Sequence, residues 1–308
     1  LSRPPQRGGG VFVALGLIAG TAVGVLAGQP SLGLLAGLGL ADRLYGARLL
    51  PVGTVYDPFV NRGLDALIYA CYQDARFLLV STPSGLTLAP EGGQHQSVNT
   101  PLLGMAQDRL VSYEPAHADE LAILLRHAFH HMQQPDGSAV WLRLSTRGLE
   151  QPERNLDPAA VIAGAHWVVP PAPGASFALA FQGALAPEAF AAFETLKEDI
   201  PEAGLLAITS PDKLHSDWLA ARRKARAGFG APSWIETLLA PLAPGATMVT
   251  VLDGHPAAHG WLGSVRGQKV VPLGVDRFGQ AGDIPDLYRE YGLDEAAILD
   301  ACAQALVS

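Results

Sequence analysis

Charge is scarce in this 308-residue chain: Asp, Glu, Lys and Arg make up 16% of it, against 49% hydrophobic residues. Ala supplies much of that apolar share, and the rest implies surface buried against a partner. The net charge is -8, and basic residues cluster only in the short run Arg222 to Arg226, which excludes a stripe that tracks nucleic-acid phosphates. The two cysteines, Cys71 and Cys302, are far apart and lack CxxC spacing, so neither a disulfide framework nor a zinc motif is present. A reducing cytoplasm is the default compartment for such a chain. Ser81 and Ser84 have no G-x-S-x-G context, which removes the hydrolase elbow. There is no internal repeat and no low-complexity tail.

Residues 8–41 carry no charge at all. Val11 to Gly28 is 18 residues of nearly continuous apolar and Gly sequence behind Arg3 and Arg7, superficially a signal peptide or a marginal membrane span. A span needs roughly 17 to 25 residues, and the glycines weaken a helix, so packing inside an α/β core is the preferred reading.

Beyond it the apolar pattern alternates between strand and helix. Arg48 to Val52 reads as a strand, Gly63 to Tyr72 as a helix and Phe77 to Val80 as a strand. Leu121, Leu124, Leu125, Ala128, Phe129 and Met132 then line one helical face, and Val140 to Leu144 follows as a strand. This alternation predicts a parallel sheet with crossover helices. Residues 149–158 lose periodicity and read as a linker. After it, strands at Phe177 to Phe181, Leu205 to Thr209 and Thr247 to Leu252 alternate with helices at Pro187 to Glu198 and His215 to Arg226, and two further helices finish the chain. The expectation is two α/β domains, residues 1–157 and 158–308, the first with about 30 atypical residues at its start.

Three segments could carry chemistry. Leu78 to Gln96 (LLVSTPSGLTLAPEGGQHQ) runs from a strand into a Gly-rich loop that delivers Glu91 and His95, a workable acid/base pair where parallel sheets build ligand sites. The bland alternative is a solvated surface loop. Tyr56 and Phe59, three apart after a strand, could stack on a flat heterocycle, or could simply close a core. Asp253, His255 and His259 invite a metal assignment, but their spacing fits no two-histidine helical motif and Pro256 interrupts any helix, so turn and interface roles are preferred.

The stretches RLLPVGTVYDPFVNRGLDAL (48–67) and TLAPEGGQHQ (87–96) resemble the pyrimidine-binding domain of transketolase-like thiamine diphosphate enzymes, close to the homodimeric pyruvate dehydrogenase E1 component. DGHPAAHGWLG (253–263) and GVDRFGQAGD (274–283) resemble the smaller C-terminal domain of that family. The resemblance implies that Tyr56 and Phe59 contact the aminopyrimidine ring and that His95, with Glu91, belongs to the active site. It also implies Mg2+, a 2-keto acid such as pyruvate, acyl transfer to a lipoyl acyltransferase, and assembly into homo- or hetero-oligomers.

Two departures matter. Gly28 stands where the family's activating glutamate belongs, in the tetrad Ala27, Gly28, Gln29, Pro30, and no G-D-G of the diphosphate- and magnesium-binding domain occurs anywhere. The chain is therefore expected to be a portion or subunit of an E1-like enzyme that takes its diphosphate-binding domain and Mg2+ from a partner and is inactive alone. The alternatives are a catalytically dead relative serving as scaffold or fragment, or half of a split transketolase. Neither nucleic acid nor membrane is an expected partner.

Overall fold

The computed structural model describes residues 30–42 and 46–307. Gly28 and most of the uncharged stretch lie outside them. Among the described residues no helix is long and apolar enough to cross a membrane.

Two sheets follow one another. The first takes the order β1 (Val52–Val55), β2 (Leu78–Ser81), β4 (Ala139–Arg143), β3 (Leu110–Tyr113), and every pairing in it is parallel. Parallel neighbours need crossovers, which helices α1 (Pro30–Gly39), α2 (Leu64–Tyr72), α3 (Thr100–Ala106) and α4 (Ala118–His131) surround and supply. Because side chains alternate along a strand, Leu79 and Trp141 enter one core with Leu67 and Phe77, while Leu78 and Val140 enter the other with Leu124 and Met132. β4 is buried at all five positions, as a central strand covered on both faces must be.

After a coil over residues 144–157 and α5 (Pro158–Ala163) comes the second sheet. Its order is β5 (Ala165–Val169), β7 (Gly204–Ile208), β6 (Ala175–Gln182), β8 (Leu242–Leu252), β9 (Lys269–Leu273). Only β5 is antiparallel to its neighbour. Phe177, Leu179, Phe181, Val249 and Val251 face the core closed by α6 (Ala186–Asp199) and α12 (Glu295–Val307). Ala178, Ala180, Leu206 and Met248 face the other core, closed by α7 (Pro211–Arg226) and α8 (Trp234–Leu238). Short helices α9 (Ala257–Gly260), α10 (Gly263–Arg266) and α11 (Ile284–Glu290) complete the chain.

The first strand begins later than the apolar run at Arg48 suggests. Pro51 has no N–H for the ladder, and its carbonyl accepts from Leu78 N (2.9 Å), so pairing starts beside it and β1 runs from Val52.

The sheets meet along a polar seam. Glu114 N donates to Thr209 O (2.8 Å), Ser210 Oγ to Ser112 O (2.6 Å) and Ser112 N to the Asp212 carboxylate (2.9 Å). Gly85, at φ +62°, touches the Asp253 side chain so closely that a Cβ would lie 2.4 Å from it, and Leu86 N donates to Asp253 Oδ1 (2.8 Å).

Candidate functional site

The four residues singled out in the sequence converge. Tyr56 leaves the C-terminal end of β1, and the 3-10 turn Asp57–Gly63 brings Phe59 back beneath it, ring centroids 5.7 Å apart. Phe59 in turn meets His95 at 5.9 Å, and Arg62 lies 4.5 Å over the Phe59 ring. His95 Nδ1 stands 3.9 Å from the Glu91 carboxylate; the nitrogen is buried and makes no hydrogen bond. Tyr56 stays 40% exposed, so the cluster forms an open cradle.

The Gly-rich loop holds this geometry because another loop leaves no room for a side chain. A Cβ on Gly93 would lie 2.0 Å from Gly279 O, and Gly92 sits at φ +80°. Gln96 Nε2 donates to Gln280 O (2.8 Å), and Gly282 N to Ala89 O (3.1 Å). The motif at 87–96 and the motif at 274–283, nearly two hundred residues apart in sequence, are thus one structure.

Beneath the cradle lies a buried charge network that periodicity did not reveal. Asp57, between the two aromatic residues and fully buried, accepts from Ser81 Oγ (2.6 Å), Thr100 Oγ1 (2.7 Å), Arg143 Nε (2.8 Å) and Ser97 Oγ. Trp141 Nε1 donates to the same Ser81 Oγ (2.8 Å). Arg143 Nη1 donates to Glu114 Oε1 (2.7 Å), Gln182 Nε2 to Glu114 Oε2 (2.6 Å), and His259 Nε2 to Gln182 Oε1 (2.8 Å). The chain of contacts therefore crosses the seam from the first sheet into the second.

Burial works against the Arg143 charge, but Glu114, Asp57 and Asp253 hold its pKa above the ordinary value. Burial raises Glu114, with Arg143 and Gln182 opposing, and raises Asp253 to about 6. It lowers His259 to about 3, so that imidazole is neutral. The signal available in the sequence was Arg143 itself, a cation ending an apolar strand, which obliges buried partners.

Asp253, His255 and His259 serve three separate partners: Leu86 N, Ala257 N and Gln182. Among the described residues no group of His, Cys, Asp or Glu is placed to hold a metal ion. The aromatic cradle beside an unpaired imidazole nitrogen fits the face of a flat heterocycle; the described residues offer no matching set for a metal-bound diphosphate.

The fold is that of the transketolases. A transketolase from Leishmania mexicana superposes with a TM-score of 0.70 at 18% identity over 90% of this chain and 36% of its own. A split-gene transketolase described as an inactive beta4 tetramer does so at 0.60 and 19% identity, covering 88% of this chain and 80% of that one. In sequence the chain resembles the pyruvate dehydrogenase E1 component of Mycolicibacterium smegmatis, 27% identical over 275 residues, 84% of this chain but 29% of that protein. The Mycobacterium tuberculosis E1 component is 28% identical over 140 residues, 44% of this chain and 15% of its own. No protein-family model matches. The chain thus spans less than a third of the length of these curated relatives.

Proposed function

We propose that this chain supplies the pyrimidine-binding and C-terminal domains, divided near residue 157, of a thiamine diphosphate-dependent pyruvate dehydrogenase E1-like enzyme. The observation that carries this reading is the gathering of Tyr56, Phe59, His95 and Glu91 at the C-terminal ends of β1 and β2, within a chain that resembles E1. Tyr56 and Phe59 would hold the pyrimidine ring of thiamine diphosphate. His95, its Nδ1 turned to Glu91, would keep Nε2 free to hold or deliver a proton at the substrate oxygen. When bound, thiamine diphosphate supplies the carbon nucleophile and the electron sink for decarboxylation of a 2-keto acid.

The diphosphate and Mg2+ belong, in this reading, to a separate domain or subunit, because the chain contains no G-D-G. Surface for such a partner, or for a second copy, is present: β1 and α2 expose Val52, Ile68, Tyr69 and Tyr72, the last at 84%. Acyl transfer to a lipoyl acyltransferase and a cytoplasmic setting complete the proposal, the latter in keeping with two buried free cysteines.

Gly28, in the place where the resemblance expects glutamate, favours a second reading: a catalytically silent relative that scaffolds, or that belongs to a split transketolase. The deciding experiment mixes the chain with the amino-terminal diphosphate-binding part of the M. smegmatis E1 component, Mg2+ and thiamine diphosphate, and follows pyruvate-dependent dye reduction. Activity in the mixture and none in either part supports the enzyme reading. A stable complex without activity supports the scaffold, and no complex refutes both.

A further inference from the structure

A groove of about 580 Å³ lies under the coil 144–157, where the chain leaves β3, β4 and β6. His117, Arg147, Leu149, Pro187 and Phe190 line it, and a recess of about 190 Å³ sharing His117, Arg147 and Leu149 extends it. β3 and β1 are opposite edges of the first sheet, so this groove is distinct from the Tyr56 cradle. It sits at the carboxyl ends of strands, where parallel sheets gather ligands.

The cations beside it are already paired with carboxylates. Arg147 forks onto Glu188 (2.7 and 2.8 Å) and donates to Ala184 O (2.9 Å). Arg154 forks onto Asp119 (2.8 and 2.8 Å) and reaches Glu120 (3.0 Å). Neither pair leaves uncompensated positive charge for a phosphate or carboxylate.

His117 is left with one specific capacity. Arg154 Nη2 lies 3.1 Å from His117 Nδ1, and a guanidinium nitrogen can only donate, so Nδ1 is the acceptor and the ring proton is on Nε2. Burial, and then the Arg154 charge, hold the His117 pKa below the ordinary value, which keeps the ring neutral. Phe190 meets the imidazole edge-on, centroids 6.3 Å apart at 73°, and fixes its plane. Nε2 makes no hydrogen bond within the described residues, so an oriented, uncharged donor stands at an apolar aromatic wall.

We propose that this groove binds an uncharged, flat heteroaromatic molecule, its ring against Phe190 and a hydrogen-bond acceptor on the Nε2–H of His117. The volume suits a small molecule, and the lining sets Leu149, Pro152, Pro187 and Phe190 against the polar groups of His117, Glu150 and Gln151. An anionic ligand would lose hydration and meet the Glu150 carboxylate in the lining, with both nearby arginines already paired.

Nicotinamide is a suitable probe, being neutral, flat and rich in acceptors. Protein labelled with 15N-histidine is titrated while the His117 ring nitrogens are followed by long-range correlation, with ligand saturation transfer in parallel. The expected result is a saturable change at Nε2 of a ring already in the Nε2–H tautomer. Phe190→Leu should weaken it about fivefold. Leu149→Trp, which fills the groove from the coil without entering either core, should abolish it, and Phe59→Ala in the other cradle should leave it intact. Benzoate, similar in shape but anionic, should bind about tenfold more weakly. Tighter binding of benzoate, binding that survives Leu149→Trp, or no response up to the solubility of the probe overturns the proposal.

Discussion

Replacing Asp57 by Ala should cost far more than its position in a short surface turn suggests. The carboxylate is fully buried, and its removal takes the nearer of two acceptors from Arg143 Nε, leaving it only Thr100 Oγ1, and the acceptor of three hydroxyls, those of Ser81, Ser97 and Thr100, at once. Breaking a buried pair by deleting one partner costs about 3–5 kcal/mol, because the surviving charge keeps its desolvation penalty. For a protein of this size that is a fall in Tm of roughly 5–8 °C. Asp57→Asn keeps an acceptor of the same shape and should lose about half as much. Trp141 gives a built-in reporter, since its indole donates to the Ser81 hydroxyl that also serves Asp57. Thermal unfolding and Trp emission should therefore change together. The double variant Asp57→Ala with Arg143→Met should be less destabilised than the sum of the two singles, by about 1–3 kcal/mol. A loss below about 1 kcal/mol for Asp57→Ala, or strict additivity in the cycle, would show that the network is not a coupled unit.

Asp253→Asn should stabilise the protein increasingly as pH rises. A carboxylate raised from 3.8 to about 6 holds its proton longer in the folded than in the unfolded chain, so its contribution is full below pH 4 and lost as pH rises through 6, an effect on the order of 3 kcal/mol. Unfolding from pH 4 to 8 checks it, and a gap between variant and parent that does not widen refutes it. Gly93→Ala, whose Cβ would meet Gly279 O at 2.0 Å, should cost about 1–3 kcal/mol and separate the two loops, seen as a lower Tm and new protease sensitivity near residue 92. The chain alone should not bind thiamine diphosphate at micromolar concentration even with Mg2+, and calorimetry that finds such binding would contradict the partner requirement. Ile68→Lys with Tyr72→Lys should shift the purified chain toward monomer in light scattering; a parent that is already monomeric would show the α2 face to be uncovered.

What the sequence disclosed of the fold follows from burial. The central strands β2, β4, β6, β7 and β8 are apolar on both faces and were legible as short hydrophobic runs, as were α2, α4, α6 and α7 from their periodicity. The strands missed or misplaced are the four edges. β1 was shifted by Pro51, β3 and β5 are short and partly exposed, and β9 is only half-buried and contains Pro272. An edge strand is covered less and so imposes less pattern, which is why a run of four or five residues there looks like coil.

The candidate site divides the same way. Tyr56, Phe59, Glu91 and His95 were legible because aromatic and Gly-rich segments at strand ends stand out; Asp57 was not, since Asp before Pro reads as a turn. Yet Asp57 is what fixes the turn carrying Tyr56 and Phe59, and Arg143, Glu114, Gln182 and His259 extend its hold into the second sheet. On the other side of the cradle the loop bearing Glu91 and His95 leans on residues 279–282. Both walls of the cradle therefore depend on the second sheet being docked. The two halves cannot be separated without loosening the aromatic pair and the imidazole together, so a chain cut in the coil 144–157 should lose the cradle even if the first sheet folds.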